Sequence, residues 1–141
     1  MKIFWDTNLF IYLWEDSPWR DRTRDFMRFI IAGEHVVVTS SLSVAEILVQ
    51  PIKAGEQQTF AAYVEAFRSL QVVPFDLQAA EVFAQLRAAH PSLRPPDAIQ
   101  LATASIAGCD VFVTNDERLA AIHAPGVRRI GALRDWRELV G

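Results

Sequence analysis

Strand and helix patterns alternate along the whole of this 141-residue chain, which predicts a three-layer α/β/α fold around a central, mainly parallel sheet of about five strands. Three observations carry that prediction. Short β-branched or aromatic runs such as Ile3 to Asp6 and His35 to Thr39 have the unbroken apolar character of strands covered on both faces. Between such runs lie segments with apolar residues three or four apart, as in Phe60, Tyr63, Val64 and Phe67. No internal repeat, low-complexity tract or long linker divides the sequence, so one domain is expected over residues 1–141.

Each element has its own signal. Ile3 to Asp6 reads as a short buried strand, and Leu9 to Trp14 continues as a helix with Asn8 as candidate cap. Asp16-Ser17-Pro18 breaks the chain before a helix over Arg20 to Ala32. His35 to Thr39 is the second strand. Ser40-Ser41 caps a helix reaching about Val49, with Pro51 expected to stop it. Glu56 to Leu70 is an amphipathic helix, and Gln71 to Pro74 a brief strand. Asp76 caps a helix to about His90, with Ala79, Ala80, Phe83, Ala84 and Leu86 on its apolar side. After Pro91 and Pro95, a helix over Pro96 to Ala107 ends at Gly108. Asp110 to Val113 is a strand, Leu119 to Ile122 a short helix, Val127 to Ile130 a last strand and Leu133 to Leu139 a terminal helix.

The totals exclude several function classes. The single cysteine, Cys109, rules out an internal disulfide framework and a cysteine-based zinc site, and it fits a reducing cytoplasm. His35, His90 and His123 lack ligand-like spacing, which disfavours zinc. No run is long and apolar enough for a membrane span, and the first residues lack a signal-peptide layout. No glycine-rich phosphate loop is present. Ser43 and Thr103 lack a histidine base, which disfavours nucleophilic hydrolysis.

Four acids occupy places where a carboxylate is a poor structural choice. Asp6 ends the first strand, Glu46 lies inside the apolar pattern Leu42 to Val49, Asp97 opens a small-residue helix and Asp116 closes the run from Val111. In a parallel sheet with covering helices, sites collect at the carboxyl ends of strands, and all four acids can face that edge. Each also has a purely structural reading. Asp6 and Asp116 could cap helices, Glu46 stands three after Ser43 as in a capping box, and Asp97 suits a helix dipole. Convergence of the four would demand a cation held by oxygens. The net charge of -3 argues against a nucleic-acid partner, but without these four acids the remainder carries +1. Twelve of the 14 basic residues are arginine, which suits phosphate contacts. Arg20, Arg94 and Arg118 are candidates, against a reading as salt-bridged surface groups.

These residues resemble a known family. Asp6-Thr7-Asn8-Leu9-Phe10-Ile11-Tyr12 is similar to the opening motif of PIN domains, and Ser43-Val44-Ala45-Glu46-Ile47 to their second acidic motif. Asp97 to Ala104 resembles the third, and Val113-Thr114-Asn115-Asp116 the fourth. Order and spacing agree along nearly the whole chain, and the compact length resembles VapC-type toxins of prokaryotic toxin–antitoxin pairs. The resemblance implies an endoribonuclease dependent on Mg²⁺ or Mn²⁺, with a cognate antitoxin and homodimerisation. It assigns Asp6, Glu46, Asp97 and Asp116 as catalytic, metal-holding acids, with Asp6 and Asp97 as leading ligands and Thr114 and Asn115 supporting them. Hydrolysis in the family leaves a 5′-phosphate and a 3′-hydroxyl. Gln100-Leu101 departs from the small or apolar residues of many relatives, a departure expected to affect only local packing.

Rival readings remain open at this stage. A receiver-like phosphoacceptor domain would want a lysine at a late strand end, but the only lysines are Lys2 and Lys53. A haloacid-dehalogenase-like phosphatase needs an acid two residues after Asp6, where Asn8 stands. A PIN-like binding module acting in operon autoregulation, or a housekeeping RNA-processing nuclease, would share the same motifs.

Overall fold

A computed structural model describes residues 1–141. Five strands, β1 (Lys2–Trp5), β2 (Val36–Ser40), β3 (Gln71–Val73), β4 (Val111–Thr114) and β5 (Arg129–Ala132), form one sheet in the order β3-β2-β1-β4-β5. Every pairing is parallel, with Phe4 opposite both Val38 and Phe112. Seven α-helices connect and flank the strands: α1 (Thr7–Trp14), α2 (Arg20–Ala32), α3 (Ser41–Ala54), α4 (Gln57–Arg68), α5 (Leu77–Ala89), α6 (Pro95–Ile106) and α7 (Trp136–Val140). The expected three-layer α/β/α architecture is therefore the observed one, and the sheet is wholly parallel.

The alternation of side chains along each strand builds two cores. Ile3, Trp5, Val37, Val111 and Val113 face one way and pack with residues of α1, α2, α3, α4 and α7. Phe4, Val38 and Phe112 face the other way, against α5 and α6. Phe4 and Phe112 stack across the β1–β4 pair with centroids 5.0 Å apart. On the first face, Trp14 stacks on Tyr63 at 4.7 Å, and Phe67 packs against Phe10 at 5.1 Å. The aromatic stripe of α4 thus belongs to the core side of the helix. Cys109 is buried too, and that burial pushes its thiol pKa up to about 12.

Several boundaries differ from the sequence reading, each for a local reason. Helix α1 begins at Thr7, because Asp6 and not Asn8 is its cap; Asp6 Oδ1 accepts the Thr7 N–H at 2.8 Å. Pro51 lies inside α3 instead of stopping it. The helix forgoes one N–H bond there and runs on to Ala54, where Gly55 at φ 68° ends it. The last strand begins at Arg129. Val127 is buried as the anchor of a turn, its N–H donating to the Ala124 carbonyl beside Gly126 at φ 78°. The short helix after Asp116 is a 3-10 turn over Glu117–Ala121.

The strand order places the site. β1 lies between β2 and β4, so the chain leaves its carboxyl end at the point where the winding of the sheet reverses. Connections depart there in opposite directions and open a crevice. Asp110, by contrast, lies at the amino edge, where it accepts the Lys2 N–H at 2.9 Å and pairs with Arg128.

Candidate active site

Asp6 sits at the bottom of that crevice and is 8% exposed. Its backbone N–H is tied to the Val113 carbonyl at 3.0 Å, which extends the β1–β4 ladder by one bond. Oδ1 takes the Thr7 N–H, and Oδ2 takes the Thr114 hydroxyl at 2.7 Å. None of these partners is a cation. Burial raises the carboxyl pKa above 3.8, against the lowering effect of the Thr114 and Thr7 hydrogen bonds; the charges of Asp97 and Glu46 raise it further. A buried carboxylate facing two more acids is a group in want of positive charge.

Glu46 and Asp97 supply the other walls. Ser40 accepts the Ser43 N–H at 3.2 Å and so caps α3, which leaves Glu46 in the second turn, as expected. From there Glu46 Oε1 accepts a hydrogen bond from the Thr7 hydroxyl at 3.2 Å. Asp97 is in the first turn of α6, behind Pro95-Pro96. Asp6, Glu46 and Asp97 line one cleft of about 360 Å³ with Thr7, Asn8, Arg94 and Gln100.

Asp116 lines the adjoining hollow, which it shares with Asp97, Arg94 and Arg118. Its N–H donates to Thr114 Oγ1 at 3.0 Å, so one buried hydroxyl links the Asp6 and Asp116 positions. Arg118 grips both Asp116 oxygens, at 2.9 and 2.6 Å, and holds that carboxyl below the usual aspartate range. Arg94 donates to Asp97 Oδ2 at 3.0 Å and approaches Asp116 Oδ2 at 3.7 Å. As these side chains stand, no three acids are close enough to hold one ion. Asp97 and Asp116 are both engaged by arginines in this arrangement. Arg20 is elsewhere, on the Glu15 carbonyl and Asp16.

Residues 3–124 match the family model for the PIN domain. The chain belongs to the PIN domain family. This PIN domain is 30% identical over 122 residues to Ribonuclease VapC23 of Mycobacterium tuberculosis (strain CDC 1551 / Oshkosh), covering 84% of this chain and 96% of that relative. Among solved structures it is similar to VapBC2 from Rickettsia felis bound to a promoter DNA fragment, with TM-score 0.75 and 18% identity over 94% of this chain and 98% of that one. It is also similar to DNA-bound VapBC from Salmonella typhimurium, with TM-score 0.69 and 28% identity over the same shares of the two chains.

Two features of this PIN domain escape the motif reading. Gln100 is buried and touches four polar residues at the base of the cleft, including Asp6 at 3.4 Å. Its neighbours are remote in sequence, so only the packing of α6 on α1 and α3 reveals them. Arg94, named from the sequence as a phosphate contact or a salt-bridged group, is the other: it is salt-bridged, and that its partners are Asp97 and Asp116 depends on the turn before α6. Asn115, expected near the acids, instead donates to the Tyr12 hydroxyl at 2.9 Å and pins α1 to the end of β4.

Proposed function

We propose that this PIN domain is a metal-dependent endoribonuclease hydrolysing RNA phosphodiester bonds, and the toxin of a VapBC-type pair with a cognate antitoxin. Asp6, Glu46, Asp97 and Asp116 are the residues that would hold its Mg²⁺ or Mn²⁺. The observation that carries the reading is the cleft at the switch point of the sheet, which three carboxylate side chains line and where the buried one, Asp6, lacks a cationic partner. An all-carboxylate donor set suits a hard cation that keeps some of its waters. The likeness to a relative named as a ribonuclease supports RNA as the substrate. The likeness to VapBC complexes supports an antitoxin partner.

The residues divide the work. Thr114 and the Thr7 N–H fix Asp6 from two sides, so its carboxylate is preset. Thr7 holds Glu46 across the cleft, and Pro95-Pro96 sets the turn that presents Asp97. When bound, the cation supplies charge against the phosphate and acidifies a water. Arg94 and Arg118 already hold Asp97 and Asp116, so they would compete with a cation for those carboxylates, and at the mouth of the cleft both guanidiniums are suited to bidentate contact with RNA phosphate. We assign the protein to the cytoplasm and expect it to form homodimers; no helix is long and apolar enough to cross a membrane.

The test is cleavage of RNA by the purified chain in Mg²⁺ or Mn²⁺. Asp6→Asn and Asp97→Asn should abolish it while circular dichroism stays native, and excess EDTA should stop the wild type. Full activity in either variant, or cleavage that persists in EDTA, sinks the mechanism. A binding-only module would show no cleavage yet would still capture its antitoxin.

A further inference from the structure

We infer that Gln100 is a positioning residue that holds two of the cleft acids, Asp6 and Glu46, in one arrangement through a one-way chain of hydrogen bonds ending on Glu46. The inference rests on the nuclease reading and deepens it. Gln100 is 2% exposed, and water cannot replace the partners it would lose. Its Nε2 donates to Ser43 Oγ at 2.7 Å and to Thr7 Oγ1 at 3.1 Å, with Asp6 Oδ1 at 3.4 Å behind them. Its Oε1 accepts the Ser40 hydroxyl.

The protons have one consistent arrangement. The Ser40 hydroxyl gives its proton to Gln100, and its oxygen receives the Ser43 N–H. Both amide protons of Gln100 go forward, so Ser43 and Thr7 act as acceptors toward it. Each hydroxyl then has its own proton to pass on. Ser43 and Thr7 are 3.0 Å apart, and Thr7 lies 3.2 Å from Glu46 Oε1, a carboxylate that only accepts. Ser43 therefore donates to Thr7, and Thr7 donates to Glu46. Turning the amide over would aim its carbonyl at Asp6, oxygen against oxygen.

This chain of bonds joins the elements that carry the cleft. Gln100 lies one turn after Asp97 on α6. Thr7 begins α1 directly after Asp6, and Ser43 lies one turn before Glu46 on α3. Glu46 is otherwise an exposed side chain on a helix surface, free to choose among rotamers. Through Thr7, the amide selects the rotamer that faces the cleft. An apolar residue at position 100 would leave the buried hydroxyls of Ser40, Ser43 and Thr7 to pair among themselves, with no donor to set their direction.

Gln100→Met keeps the volume and removes both donors. Free-Mn²⁺ signal in electron paramagnetic resonance gives metal affinity without turnover, and steady-state kinetics on RNA gives kcat and KM. We expect Mn²⁺ affinity and kcat to fall about 10–100-fold, the usual effect of removing a group that orients metal ligands, with KM for RNA unchanged. Combining Gln100→Met with Thr7→Val should cost little beyond Thr7→Val alone, because both cut the same chain of bonds. If the methionine variant does not fold, Gln100→Leu, a shorter apolar side chain without donors, takes its place. A folded variant with wild-type affinity and kcat, or losses that add with Thr7→Val, overturns the inference while the nuclease reading stands. A wild type that neither binds Mn²⁺ nor cuts RNA overturns both.

Discussion

Thr114 offers a sharp test of how the site is built. It is fully buried, and its one hydroxyl donates to Asp6 Oδ2 at 2.7 Å while accepting the Asp116 N–H at 3.0 Å. Thr114→Val keeps the shape and removes both bonds. The first is charge-assisted, worth roughly 1.5–3 kcal/mol, and orphaning a part-buried donor such as the Asp116 N–H adds at most about 1–3 kcal/mol, the cost of a fully buried one. The two losses share one atom and do not add in full, so we expect a destabilisation of about 2–4 kcal/mol. At roughly 3 °C per kcal/mol for a chain near this size, the melting temperature should fall by about 6–12 °C. The assay is thermal unfolding by circular dichroism in EDTA, so that metal plays no part. Thr114→Ser keeps the hydroxyl and should recover most of the loss. If the valine variant melts within about 2 °C of wild type, or if serine is as damaging as valine, the hydroxyl does not hold the acids and the reasoning fails.

Other expectations follow from the same geometry. The raised pKa of Asp6 means that the folded state holds its proton more tightly than the unfolded chain, whose aspartate titrates near 3.8. In EDTA the wild type should therefore lose stability as pH climbs from that value through the raised folded one, and remain on the lower plateau above it. Asp6→Asn escapes this loss, so its melting-temperature advantage should widen with pH; a constant gap counts against the assignment. Arg94→Ala should tighten Mn²⁺ binding by about two- to fivefold, the range open to an exposed ion pair, while raising KM for RNA. Weaker Mn²⁺ binding, measured by the same resonance titration, would show that Arg94 does not compete with the cation. Phe67→Ala should cost about 3–5 kcal/mol in chemical denaturation, because Phe67 is 3% exposed and packs on Phe10 and Trp14. A negligible change would show that Phe67 does not anchor α4 to the core.

Much of the fold was legible because its signals are local. Buried parallel strands show as short apolar runs, and the caps Ser40 and Asp76 announce their helices with one polar residue each. The acids were legible because a carboxylate at the end of such a run conflicts with its surroundings. What escaped depends on contacts between distant segments. Gln100 reads as a local packing variation until Thr7, Ser40 and Ser43 are brought around it from α1, the end of β2 and α3. Pro51 signals a helix end, yet the packing of a buried turn carries α3 past it to Gly55. The shift of β5 to Arg129 follows from the Ala124–Val127 turn, whose buried valine imitates a strand in sequence.

The position of β1 also sets an order of events during synthesis. β1 is made before the other four strands but is the middle one, and its partner on one side, β4, is made only at residues 111–114. Until then the nascent chain has β1 with one edge open, and Asp6 lacks the Thr114 hydroxyl that fixes it. The cleft acquires Asp97 late as well, and Asp116 last. Under the proposed function, cutting competence arrives only after residue 116 has been made, so a shorter nascent chain does not endanger the RNA of the ribosome that is making it.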